Sequence, residues 1–204
     1  MRQKLYSSLG IVIFAFLSIM ISADVVIFNE KTYPPLFENY GVYTNINASQ
    51  ETILQQHTNI LNYIQQEEPL EPILLNQKEI RHMADVQNIV TRGQQLLMLW
   101  VLIQFVIVLR IREKKKVLLY GGILTLGILG VVAFSPFAAT FYNMHKLLFD
   151  NDLWLLNPAT DNLIKIYPEV LFRAIAMKIS LVAGIVAGAS IAIGLYKSSK
   201  KVTE

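Results

Sequence analysis

Four long apolar runs, at 9–28, 96–109, 117–135 and 172–196, are separated by polar stretches along the 204 residues. A helix needs ~20 residues to cross ~30 Å of hydrocarbon. Three runs are close to that length. The second, at 14 residues, reaches it only by drawing on positions 85–95. The pattern predicts a mainly α, polytopic membrane protein forming one integral membrane unit over 1–204. Its four transmembrane helices carry a small extracytoplasmic cap, built from segments 29–95 and 136–171.

The basic stretch Arg110-Ile111-Arg112-Glu113-Lys114-Lys115-Lys116 sets the orientation. Short loops rich in Lys and Arg are retained on the cytoplasmic side, so 110–116 is read as an inner hairpin and both termini as inside. On this topology the inner segments hold ten Lys/Arg, including Lys197, Lys200 and Lys201, against Glu113 and Glu204. The outer segments, with Asp24, Arg173 and Lys178 counted as outer, hold eight against thirteen Asp/Glu. The net charge of +3 therefore conceals a strong asymmetry, and the basic pI is topogenic. No outer segment shows a basic stripe, which argues against nucleic acid as a partner. With 53% hydrophobic and 16% charged residues, the composition departs from that of a soluble domain. Ile21-Ser22-Ala23 resembles a signal-peptidase site, but apolar residues continue through Phe28, and that length favours a retained span. There is no cysteine, hence neither a disulfide nor a thiol nucleophile.

Within 29–95, Tyr33-Pro34-Pro35 suggests irregular chain. Asn47 followed by Gln50 suggests a capping box for a helix over 50–66. Ile53, His57, Ile60, Leu61 and Ile64 share one face of that helix. Helix resumes from Glu79 and places His82 and Asp85 on a common face. In the last span Gly184 and Gly188 form a small-xxx-small pattern, which Ala183, Ala187 and Ala192 extend into a small-residue surface, read as close helix packing rather than dimerisation. Lys178 lies inside the outer end of that span, placed to snorkel or to meet a polar site.

His57, among isoleucines, is read as a packing residue. His82 and His145 differ, because both fall near an outer membrane boundary beside carboxylates. Histidine exchanges protons near neutral pH, so the two point to general acid–base chemistry on a lipid-linked group. Segment 136–171 adds Tyr142, Phe149, Asp152, Trp154, Tyr167 and Glu169 as candidates for binding or support, beside Asp85 and Lys178. A metal site drawn from His82, Asp85, His145 and Asp152 or Glu169 is the chemical alternative. The spacing is nonspecific and there is no His-Glu-x-x-His.

The block Glu79-Ile80-Arg81-His82-Met83-Ala84-Asp85-Val86, paired with Asn143-Met144-His145-Lys146-Leu147-Leu148-Phe149-Asp150-Asn151-Asp152-Leu153-Trp154, resembles the bacterial lipoprotein intramolecular transacylases. Asn157-Pro158, Asp161-Asn162-Leu163-Ile164 and Tyr167-Pro168-Glu169 extend the likeness, which covers nearly the whole chain. Met144 and Leu148 depart from it, standing where the family commonly has aromatics. The resemblance implies four helices beneath an extracellular cap. It further implies transfer of the sn-2 acyl chain of a diacylglyceryl lipoprotein to the α-amine of its N-terminal cysteine, giving a lyso-form. His82 and His145 match the family's catalytic histidines.

The residues suit that chemistry independently. An α-amine of pKa ~7.7–8.0 is within reach of a histidine base, and a second histidine can stabilise the oxyanion or protonate the leaving oxygen. No cofactor and no metal are called for. The expected partners are the lipoprotein substrate and membrane lipid, with the chain acting as a monomer in the bacterial cell membrane and its site facing outward. A metal-dependent membrane hydrolase and a noncatalytic accessory protein are the competing readings.

Overall fold

The structure, a computed structural model, describes residues 2–196. The tail residues Lys197, Lys200, Lys201 and Glu204 lie outside the described residues. The described chain is helical, without strands: α1 (Arg2–Ile27), α2 (Tyr33–Asn39), α3 (Val42–Asn45), α4 (Gln50–Ile64), α5 (Gln77–Arg110), α6 (Lys114–Phe134), α7 (Phe137–Leu148), α8 (Leu163–Ile166) and α9 (Glu169–Leu195). Among these, α1, α5, α6 and α9 are long and apolar enough to cross a membrane. The second apolar run is thus the C-terminal part of a 34-residue helix that already contains His82. The chain separates into two units, one drawn from Met1–Ala23, Leu97–Phe134 and Ile179–Glu204, the other from Asp24–Leu96 and Ser135–Lys178.

In the first unit Ile13 and Leu17 of α1 pack with Ile107 near the end of α5, with Ile111 just beyond it and with Val117 of α6. Large apolar side chains such as Phe105, Val131 and Leu181 remain exposed. In water such a surface would be an aggregation liability, whereas against lipid it is the expected finish. Small residues let the backbones approach. A Cβ on Gly122 would lie 2.7 Å from the Ala187 carbonyl oxygen, and one on Gly194 2.7 Å from Leu119 Cβ. Gly184 and Gly188 do not serve this purpose, since a Cβ on either would meet nothing within 4 Å. Of the small-residue surface expected there, Ala183 and Ala187 are the members that are fully buried, because they project from a different face of α9 than the two glycines.

The second unit is built on α4. Its cap is Ser49, whose hydroxyl accepts from the Thr52 N–H at 3.1 Å, and not the Asn47 box expected from the sequence. Ile53, His57, Ile60 and Leu61 are buried as the periodicity requires. The aliphatic side chains among these form the unit's apolar core with Phe37 and Ile166, and each contributes about 1.5–3 kcal/mol. Gln56 and Asn59 are buried as well, because they stitch an irregular strip to the helix. Gln56 accepts from Leu74 N–H at 2.8 Å and donates to Glu71 O at 3.1 Å. Asn59 accepts from Glu71 N–H at 2.7 Å and donates to Pro69 O at 3.1 Å. These bonds satisfy backbone groups that a buried loop would otherwise leave unpaired.

Candidate active site

The start of α5 is held in place by carboxylates. Glu79, fully buried, accepts from Asn76 N–H at 2.7 Å and from Leu163 N–H. Asp161 accepts from Asn157 N–H at 2.8 Å and Asn76 Nδ2 at 2.9 Å, with Lys78 Nζ 3.7 Å away. Burial pushes the Asp161 carboxyl up. The donors Asn157, Thr160 and Asn76 and the charge of Lys78 outweigh that effect and hold it below the usual range. The start of the helix that carries His82, three residues beyond Glu79, is thereby fixed to segment 157–163.

His145 sits on α7 within a column of rings at four-residue spacing. Phe137 and Phe141 are stacked at 5.8 Å, Phe141 lies 4.3 Å from the His145 ring, and His145 is stacked on Phe149 at 5.6 Å. Positions four apart on a helix face one another, so this column is a consequence of sequence spacing. His145 Nδ1 lies 2.8 Å from the Phe141 carbonyl oxygen. A carbonyl only accepts, so Nδ1 carries the proton, and in neutral imidazole the lone pair is then on Nε2. Trp154 lies 5.2 Å from the imidazole, and Tyr142 packs edge-on to Trp154 at 5.3 Å.

The ring of Phe149 joins the two histidines, being 5.0 Å from His82 as well. His82 is 6% exposed and its Nδ1 has no hydrogen-bond partner among the described residues. Burial lowers its pKa to about 4; His145 adds to that effect, Asp85 opposes it, and Lys78 adds again. His82 is therefore neutral at physiological pH. Asp85 is tied down by Asn151, whose amide donates to it at 2.9 Å. A cleft of about 370 Å³, lined by Tyr142, Lys146, Phe149, Asp152 and Trp154 among others, opens beside the column.

Of the residues singled out from the sequence, His82, His145, Asp85, Tyr142, Phe149 and Trp154 are thus brought together. Asp152 is exposed at the cleft, Glu169 is exposed in the first turn of α9, and Lys178 is exposed further along it. Neither histidine hydrogen-bonds any of these three among the described residues. Tyr167 instead meets His57 Nδ1 at 2.6 Å. Sequence reasoning overlooked Asn151, a long-range partner without a local signal, and the Phe141 carbonyl, which the four-residue spacing could have indicated. No three or more His, Asp and Glu side chains are grouped as ligands for a metal among the described residues.

Both histidines that are buried here lose stability in acid. His57 is lowered to about 3 by burial and His82 to about 4, against 6.5 in the unfolded chain. Between those values the unfolded chain binds protons that the folded one does not, so stability rises with pH. The contribution is complete above about pH 6.5 and is lost as pH falls toward the folded values. The thermal midpoint of the purified protein should drop between about pH 7 and about pH 5, and by less in His57→Asn. An unchanged midpoint would show that these imidazoles are not buried in neutral form.

The family model described as lipoprotein intramolecular transacylase Lit matches residues 8–172, most of the chain. This protein belongs to the lipoprotein intramolecular transacylase family. It is therefore an acyltransferase that acts on lipoprotein by intramolecular transfer, and neither the metal hydrolase nor the accessory reading is favoured. The fold agrees with solved structures of the membrane-integral Lit transacylase from Bacillus cereus. One matches with a TM-score of 0.84 at 22% identity, over 94% of this chain and 93% of that one. Two others carry a single histidine substitution, to arginine and to alanine. The arginine form has a TM-score of 0.81 at 21% identity over 95% and 90% of the two chains. The alanine form gives 0.78 at 23% over 94% and 90%. No curated protein matches the chain.

Proposed function

We propose that this transacylase moves the sn-2 acyl chain of a diacylglyceryl lipoprotein to the α-amine of the lipoprotein's N-terminal cysteine, leaving a lyso-form, and that His82 and His145 carry the step without a metal or cofactor. The observation that carries the proposal is the tautomer of His145. Its Nδ1–H is committed to the Phe141 carbonyl, which leaves Nε2 as the base. As the amine nitrogen bonds to the ester carbonyl carbon, Nε2 takes its proton. When the tetrahedral intermediate collapses, the carbon–oxygen bond to glycerol breaks and His145 returns that proton to the glyceryl oxygen. An amide and a free hydroxyl result. His82, kept neutral by burial, donates an N–H hydrogen bond to the carbonyl oxygen as negative charge develops there. Phe149 and Trp154 shield the imidazoles from water, which would otherwise compete with the amine. Amine and ester belong to one molecule, so holding them in contact supplies much of the rate.

The site faces the outside of the bacterial cell membrane in this reading. The basic 110–116 stretch and the acidic balance of segments 29–95 and 136–171 support that orientation. Both histidines come from one chain, in keeping with a functional monomer. The test is a lipopeptide with different acyl chains at sn-1 and sn-2, presented to the outer face of intact protoplasts expressing the enzyme. The sn-2 chain should appear on the cysteine amine with no change in total mass. Loss of a chain's mass would indicate hydrolysis, and conversion only in inverted membranes would reverse the orientation.

A further inference from the structure

His57 has no part in the reaction above, yet its surroundings exceed what packing requires. It is 2% exposed, with its Nδ1 2.6 Å from the Tyr167 hydroxyl. The rings of Tyr33 and Phe37 enclose it at 4.0 and 5.2 Å, and Tyr33 is itself anchored by donating to the Ile27 carbonyl at 2.7 Å. A leucine would fill such a space without the cost of burying an imidazole. What the imidazole adds is a directional bond to one atom of Tyr167. Burial pushes the Tyr167 phenol well above its ordinary range, with Tyr33 adding to the effect, so the hydroxyl keeps its proton and the bond joins two neutral groups.

From Tyr167 a contiguous set of rings leads to the catalytic base. Tyr167 lies 6.1 Å from Phe172, Phe172 lies 5.0 Å from Phe141, and Phe141 lies 4.3 Å from His145. Phe141 also supplies the carbonyl that sets the His145 tautomer. We infer that His57 and Tyr167 form a positioning pair, whose hydrogen bond fixes the tilted Phe172–Phe141 ring pair and through it the direction in which His145 Nε2 points. This inference rests on the reading of His145 as the base. Small misplacements of a reacting group are costly in rate, and supporting contacts of this kind hold it in the productive geometry.

The test compares variants that delete the bond but keep the volume. Tyr167→Phe and His57→Leu should each lower kcat about 10-fold and leave KM within about twofold. His57→Asn retains an oxygen that can accept from the Tyr167 hydroxyl, so it should recover most of the kcat lost in His57→Leu. In Tyr167→Phe, His57 Nδ1 is left buried and unpaired, which also lowers the thermal midpoint. The double variant His57→Leu, Tyr167→Phe leaves neither partner unpaired. Its midpoint should rise again while kcat stays low, a separation that a purely structural role would not give. A wild-type kcat in Tyr167→Phe, or a kcat that recovers together with the midpoint in the double variant, would overturn the pair's role. His145→Ala serves as the control. If it is inactive and the pair variants are unaffected, the positioning role alone is lost; if it is fully active, the reading of the site itself is lost.

Discussion

His145→Ala should lower kcat by about 10²- to 10⁴-fold, the range supplied by a positioned general acid–base group. Two proton transfers fail together in this variant, one from the attacking amine and one to the departing glyceryl oxygen. The protein should still insert and purify, because His145 is only half-buried on α7 and its hydrogen bond among the described residues runs back to its own helix. Substrate affinity should change little, since the imidazole acts on atoms whose charge changes only during reaction. Steady-state kinetics with a diacylated lipopeptide give both quantities. A His145→Ala enzyme with near-wild-type kcat would remove the base from the proposal.

His82→Ala should cost about 10²- to 10³-fold in kcat, the usual loss on removing one oxyanion donor. The more telling prediction concerns the double variant. Groups acting in one reaction step lose activity non-additively, because removing either already disables the step. His82→Ala combined with His145→Ala should therefore be little worse than the weaker single variant. The geometry motivates this expectation, since both imidazoles pack on the ring of Phe149, at 5.0 and 5.6 Å. Clean multiplication of the two losses would separate their roles and leave one of them outside the chemistry.

The helical, four-span character of the chain could be read from hydropathy alone, because in lipid each span must satisfy its own backbone groups. Helix ends were less accessible. α5 begins at Gln77, far ahead of the apolar run, since its first turns are held by Glu79 and Asn76 rather than by hydrophobicity. The cap of α4 fell on Ser49 because a cap depends on local dihedral angles that Asn47 and Ser49 compete to satisfy. Of the small-residue surface expected on the last span, Ala183 and Ala187 are buried while a Cβ on Gly184 or Gly188 would meet nothing, because spacing marks a set of small residues without fixing which of their faces meets a neighbour.

Within the site, the ring column on α7 was written in the four-residue recurrence of Phe137, Phe141, His145 and Phe149. The partners of Asp85 and His57 could not be read this way. Asn151 is 66 positions from Asp85, and Tyr167 is 110 from His57, and both pairings arise only when the chain folds back. Burial of His82 was equally hidden, although it is what keeps this imidazole neutral for the proposed donor role.

Mass spectrometry of a lipoprotein's N-terminal peptide tests the central claim most directly, with this chain expressed in a host that lacks a transacylase. Wild-type enzyme should yield the lyso-form, with one acyl chain on the cysteine amine and a free glyceryl hydroxyl, and His145→Ala should leave the diacylglyceryl form with a free amine. Lyso-form lipoprotein at wild-type levels from His145→Ala cells would contradict the account.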